Sequence, residues 1–302
     1  MEILNLTSTV VVDFYFKRLF TTTSKIISMA LKNPIRLPDI AGYEERKNDI
    51  VYSKPLVDSA VAKVVIFFPG DVQDYIENME AHRDNKHHKQ WNLEGTASIL
   101  QKKFPENHIL VVKPSRMDFK TFSCFQNFVQ SSQLGIPEHI PNFNSLNHLE
   151  ALLKNISERI QQPTALDKLD REIVGFSKGC VVLNQFVHEF HYSIINKDQG
   201  ILNIIKKIKS MYWLDGGHSG GKNTWIVQQD VLTSLCSLDI NINIHVTPYQ
   251  IQDDRRPWIK KEEKTFSDFL QKHSSKITRL VHFEAIPPSI ITHFDVINSF
   301  KK

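Results

Sequence analysis

The sequence predicts an α/β fold: a mostly parallel sheet with helices on both faces. Three observations carry that expectation. Strand-length apolar runs alternate with helix-length amphipathic runs from about residue 49 onward, the pattern of successive βαβ units. One run, Val64-Val65-Ile66-Phe67-Phe68, is apolar at every position, as a strand buried on both faces must be. The pentapeptide Gly175-Phe176-Ser177-Lys178-Gly179 stands between an apolar strand and an apolar-periodic helix.

The elements follow in order. Residues 1–45 read as an N-terminal segment and residues 46–302 as one domain. Residues 1–33 of the segment are rich in Ser, Thr and large apolar residues, with Lys17, Arg18, Lys25 and Lys32 against Glu2 and Asp13. Two readings of it stay open, a targeting peptide and a loosely packed helix or strand. The strand 64–68 is ended by Pro69-Gly70. A polar, histidine-containing loop covers 77–90. Asn92 is placed to cap a helix through Lys103, closed by Phe104-Pro105. A strand over 109–112 stops at Pro114. Residues 115–144 read as a long surface excursion near the working edge of the sheet. Ser145 is expected to cap a helix carrying Leu146, Leu149, Leu152, Leu153 and Ile156 at helical spacing. Next come a strand over 171–176, a helix over 178–195, a strand over 209–215 and a helix over 224–235. A strand over 240–246 ends before Pro248. The charged run 253–264 leads into a helix near 266–273. The last strand spans 278–285, Pro287-Pro288 break it, and a final helix starts near His293.

Composition excludes several classes. The chain has 302 residues, enough for one large α/β domain with a sizeable core. Its net charge of +4, from 37 Lys+Arg against 33 Asp+Glu, is too small to argue for a nucleic-acid partner. The short basic clusters Lys206-Lys207 with Lys209, and Arg255-Arg256, read as solvated faces. Cys124, Cys180 and Cys236 are odd in number and widely spaced, so neither a disulfide framework nor a zinc site is expected. His82, His87 and His88 cluster without an acid or cysteine at ligand spacing, so no metal or other cofactor is predicted. No apolar run approaches the roughly 20 residues of a membrane-spanning helix.

The pattern Gly-x-Ser-x-Gly occurs twice, at 175–179 and as Gly217-His218-Ser219-Gly220-Gly221. In a nucleophile elbow the serine sits on a sharp turn from strand to helix, and side chains in place of the glycines would collide within that turn. The helix that follows aims its N-terminal dipole at the oxyanion. Ser177 meets these demands: Ile173-Val174 precede it, and Cys180-Val181-Val182-Leu183 open a helix directly behind Gly179. Ser219 lacks both. Its strand ends at Asp215, and Gly220-Gly221-Lys222-Asn223 intervene before the next helix. Ser177 is therefore the expected nucleophile, which makes the fold α/β-hydrolase-like, with Gly175 and Gly179 as elbow glycines.

In such enzymes the acid and then the histidine follow the serine along the chain. His293, after the last strand, is the candidate base. Three carboxylates compete for the acid: Asp253 after the strand 240–246, its neighbour Asp254, and Asp215 at the end of the preceding strand. The oxyanion donors expected are the N–H of Lys178 and that of Asp71 or Val72, in the turn after Phe68. Together these predict a serine hydrolase of the esterase, lipase or thioesterase type, acting on a small acyl substrate that includes lipid-like chains. The competing reading is a hydrolase-fold protein with little turnover that works by binding a partner or lipid.

Phe68-Pro69-Gly70-Asp71-Val72, the pentapeptide 175–179, Leu214-Asp215-Gly216-Gly217-His218 and Thr247-Pro248-Tyr249-Gln250 together resemble one family. It is the eukaryotic family that includes the chromosome 2 open reading frame 69 protein, and the resemblance runs from about residue 45 to the C-terminus. It implies an α/β-hydrolase-like fold and a mitochondrial location, with the cytoplasm as the alternative.

Overall fold

The computed structural model describes residues 34–132, 136–161, 165–218 and 220–302. One eight-stranded sheet runs through them. Its strands are β1 (Ile35–Ala41), β2 (Lys47–Ser53), β3 (Val64–Phe68), β4 (His108–Val112), β5 (Arg171–Phe176), β6 (Ile208–Leu214), β7 (Asn241–Val246) and β8 (Ile277–Val281). Their spatial order is β1-β2-β4-β3-β5-β6-β7-β8. β1 pairs with β2, and β2 with β4, antiparallel, while the remaining pairings are all parallel. The fold is thus α/β-hydrolase-like, as the alternation predicts. Residues 1–33 of the N-terminal segment, and Ser219, lie outside the described residues. The domain boundary at residue 46 needs correction. β1 already forms the sheet's edge at Ile35, in a stretch whose mixed Pro, Asp and apolar residues hide its strand character.

The pleat sorts the core into two faces. Successive residues of a strand point to opposite sides. Val64, Ile66 and Phe68 of β3 therefore join one cluster, while Val65 and Phe67 join the other. The larger cluster lies under α2 (Ser145–Arg159), α3 (Cys180–Asn196), α4 (Gln229–Cys236) and α5 (Pro257–His273). The smaller one lies under α1 (Leu93–Lys103) and α6 (Ile290–Ser299), with Trp91, Leu100, Phe294 and Ile297 against Phe67, Val174 and Leu214. Each fully buried large apolar side chain contributes roughly 1.5–3 kcal/mol, so both helical layers are needed to cover this sheet.

Several local expectations meet their physical reasons here. Asn92 caps α1, its Oδ1 accepting the Gly95 N–H at 2.8 Å. α6 opens with a capping box between Ser289 and Thr292, earlier than His293. Ser145 is not the cap of α2. Asn144 occupies that position with φ 65°, and the Ser145 hydroxyl donates instead to Phe128 O. The free N–H groups of this helix end find a buried acceptor in α3: Glu189 takes Ser145 N–H at 2.7 Å and Leu146 N–H at 3.0 Å. α5 starts at Pro257, well before residue 266. Its first half hides in a charged run because Glu263 is itself buried, paired with Arg279 at 2.8 Å. The loop 77–90 contains a short helix, Ile76–Glu80, and part of a 3₁₀ segment, Asn85–Trp91.

Two predictions follow from this packing. Glu189→Ala strips two charge-assisted bonds from a buried helix end and should lower stability by about 3 kcal/mol, measured by urea unfolding. Glu189→Gln, which keeps one acceptor, should cost clearly less. The second concerns acid. Burial lowers His139, His148 and His245 from 6.5 to about 3, and His188 and His218 to about 4. The unfolded chain binds these protons below pH 6.5 and the folded chain does not. Stability should therefore fall as pH drops through 6.5, by about 1.4 kcal/mol per pH unit for each withheld proton. A flat unfolding midpoint between pH 7 and about pH 5 would contradict this.

Candidate active site

The parallel strands end on one edge, and the candidate residues gather there, where open α/β sheets hold their ligands. β5 runs into Ser177, which adopts φ 50°, a conformation that costs a non-glycine residue strain. The turn tolerates only glycine around it. A Cβ on Gly179 would sit 2.0 Å from Phe68 O, and one on Gly175 would sit 2.9 Å from Cys180 Cα. Gly70, in the turn after β3, approaches so closely that a Cβ there would lie 2.8 Å from Ser177 Cβ. Ser177 is 8% exposed, and α3 begins three residues later at Cys180.

β6 delivers Asp215, fully buried and also strained, with φ 48°. Its carboxylate is well satisfied. Oδ1 accepts the Thr247 N–H at 2.7 Å, and Oδ2 accepts the Thr247 hydroxyl at 2.6 Å. Oδ2 also pairs with His293 Nδ1 at 2.7 Å. Gln250 Nε2 donates to the Asp215 carbonyl at 3.0 Å. The His293 ring lies between two others, Phe176 at 4.6 Å and Tyr249 at 4.8 Å between centroids. Its position is thus held by a hydrogen bond at Nδ1 and by tilted ring packing against Phe176, the residue just before Ser177. Nδ1 being taken, Nε2 is the nitrogen left for other chemistry. Among the described residues no hydrogen bond joins Ser177 Oγ to His293. In ligand-free enzymes that contact is often long and tightens only with substrate bound.

The other candidates fall elsewhere. Asp253 is held by Arg255 and Arg256, whose Nε atoms lie 3.4 and 2.8 Å from its oxygens, and no bond links it to His293. Asp254 makes no contact with that ring. In the oxyanion turn, the Val72 N–H is already donated to Thr121 O at 2.6 Å. The Asp71 N–H has no acceptor among the described residues, so of the two it is the available donor. Lys178 follows the serine and is 7% exposed. The Asp71 side chain also belongs to the site. Burial pushes its carboxyl above the ordinary carboxylate range, while Lys178, the Ser123 N–H, His293 and Arg256 pull the other way. His82 and His88 have structural tasks: His82 Nδ1 accepts two turn N–H groups, and His88 stacks on Phe294.

Thr247, Tyr249 and Gln250 were not singled out by chemical reasoning on the sequence. Their only signal was the tetrapeptide that supports the resemblance. Gln73, whose Oε1 accepts the Gly70 N–H at 2.9 Å, and Ser123, whose hydroxyl donates to Gly70 O at 2.6 Å, gave none. Beside α3 a cavity of about 270 Å³ is lined by Asn184, His188, His139, Trp225 and Asn223.

A model of the C2orf69 family matches residues 36–172 and 161–276. The mitochondrial protein C2orf69 homolog of Mus musculus is 38% identical over 284 residues, covering 78% of this chain and 77% of that protein. This chain belongs to the C2orf69 family. The Homo sapiens member is 37% identical over 285 residues, covering 78% and 74%. Relatives in Mus musculus, Homo sapiens and Danio rerio are all named mitochondrial proteins, so the mitochondrial location expected from the resemblance is borne out. Among solved structures, an enterochelin esterase from Shigella flexneri aligns with a TM-score of 0.47 at 8% identity. That alignment covers 83% of this chain and 53% of the esterase.

The elbow geometry makes a stability prediction independent of any activity. Gly179→Ala sets a methyl against a backbone carbonyl that cannot rotate away. It should cost about 3 kcal/mol or more, read by thermal or denaturant unfolding. A near-neutral result would mean the turn is looser than its contacts imply.

Proposed function

We propose that this family member is a serine hydrolase acting on an ester or thioester through Ser177, His293 and Asp215. The observation that carries the reading is the buried 2.7 Å pair between His293 Nδ1 and Asp215, with the ring packed against Phe176, the residue preceding the elbow serine. His293 Nε2 takes the Ser177 hydroxyl proton as Oγ attacks the acyl carbonyl. Asp215 keeps the ring in the tautomer that leaves Nε2 basic, then stabilises the imidazolium. The N–H groups of Asp71 and Lys178 receive the oxyanion, each worth about 3 kcal/mol in the transition state. The imidazolium passes its proton to the departing alkoxide or thiolate. Water, deprotonated by the same ring, then attacks the acyl-enzyme, and the imidazolium returns the proton to Ser177 Oγ as the acid leaves.

The cavity beside α3 is walled by Glu138 and His139 from the 115–144 excursion, by Asn184 and His188 from α3, and by Asn223 and Trp225 beyond the Gly217–Gly221 loop. Burial holds both histidines well below their ordinary value, so they carry no charge near neutrality. The second reading is a hydrolase-fold protein that binds without turnover.

A fluorophosphonate probe separates the two. It should label the wild type and Ser219→Ala but not Ser177→Ala. Asp215→Asn should slow ester turnover by about 10⁴-fold, whereas Asp253→Asn should stay within roughly tenfold of wild type. Folded wild type that refuses the probe would favour the binding reading. Labelling abolished by Ser219→Ala alone would overturn the choice of nucleophile.

A further inference from the structure

The excursion 115–144 begins with a small hairpin, Arg116–Asp118 paired with Phe122–Cys124. Its turn is closed by the Thr121 N–H donating to Asp118 O at 3.0 Å, and both central residues have positive φ, 51° at Phe119 and 57° at Lys120. Turns of this handedness select Asn and Gly. A bulky aromatic residue at such a φ is a genuine outlier. Yet Phe119 gains nothing from the fold in return: it is 87% exposed, and Phe122 beside it is 45% exposed.

Charge surrounds this apolar tip. Asn85 Nδ2 donates to Lys120 O at 2.8 Å, which ties the hairpin to the segment that carries Lys86 and His87 next in sequence. The nearby acids are taken, Asp84 by Arg83, Glu80 by Lys89 and Asp118 by Arg116. Lys86 and Lys120 make no ion pair among the described residues.

We propose that this hairpin docks the protein on an anionic lipid surface, with Phe119 inserted at the headgroup level and Lys86 and Lys120 facing the phosphates. Exposed rings ringed by unpaired cations are the chemistry of a membrane interface. Two rings on a narrow tip offer no groove and far too little area for a stable protein–protein contact. The root of the hairpin reaches the candidate site. Ser123 N–H donates to Asp71 Oδ1 at 2.7 Å, the Ser123 hydroxyl to Gly70 O, and Val72 N–H to Thr121 O. Docking would therefore set the mouth beside Ser177 against the lipid. That consequence rests on the hydrolase reading, whereas the docking itself does not.

Vesicle cosedimentation tests it without any substrate. Wild type should bind vesicles of phosphatidylcholine with phosphatidylserine, bind phosphatidylcholine alone weakly, and release in high salt. Phe119→Asn suits a positive φ, so it should fold at least as well as wild type, yet bind about tenfold more weakly. Lys120→Gln should weaken binding several-fold and flatten the salt dependence. Fluorophosphonate labelling in solution should not change in either variant, which separates a docking defect from failure of the catalytic reading. Wild type that ignores anionic vesicles, or Phe119→Asn that binds them as wild type does, would overturn the proposal. So would a concentration-dependent oligomer that Phe119→Asn abolishes in the absence of lipid, which would make the tip a protein contact.

Discussion

The arrangement at the sheet edge depends on one buried interaction, the Asp215 carboxylate held between Thr247 and His293. A fully buried carboxylate is expensive unless its lone pairs are satisfied. Here three short hydrogen bonds satisfy it, and they come from two other parts of the chain, the end of β7 and α6. The pair therefore exists only when β6 and β7 are in register, with Leu214 opposite His245, and when α6 is seated on its face of the sheet. Tertiary structure and site chemistry are the same event at this point. Loosening α6 would remove the histidine and leave a charged group in the core.

Strain is concentrated on the same edge. Ser177, Asp215 and Val72 all have positive φ at or just past the carboxyl ends of central strands. Such positions cost of order 1–3 kcal/mol each and persist only where the surroundings overdetermine them. The surroundings do so by contact rather than by flexibility. Gly70 lies against Ser177, Gly179 against the Phe68 carbonyl, and Gln73 with Ser123 brackets Gly70 from both sides. The ends of β3 and β5 thus lock each other into conformations neither would adopt alone.

Much of this was legible in the residues, for identifiable reasons. The all-apolar β3 announces a strand covered on both faces. The elbow is readable because glycine is the only residue its contacts admit. His293 is readable from chain order and from the Pro287-Pro288 break ahead of it. What stayed hidden depends on long-range partners. β1 carries Pro38 and Asp39, and it becomes a strand only by pairing with β2. The start of α5 lay in a charged run whose Glu263 is buried by Arg279, 16 residues away. The cap of α2 comes from Glu189, 44 residues downstream. Which of Asp215, Asp253 and Asp254 meets His293 could not be read from spacing, because it depends on which strand end faces α6.

That last choice also explains why the ends of β6 and β7 look like rivals in the sequence. Both carry polar residues suited to orienting a histidine, and only one can place a carboxylate at His293. β6 supplies the anion, and β7 supplies the hydrogen bonds that make its burial tolerable, through the Thr247 N–H and hydroxyl. The acid further along, Asp253, has passed to another task, holding Arg255 and Arg256 ahead of α5. A carboxylate put in place of Thr247 beside Asp215 would remove the hydroxyl donor and crowd two anions into one buried site. The division of labour between the two strand ends is therefore mutually exclusive, and Thr247 is as much a determinant of the acid's position as Asp215 itself.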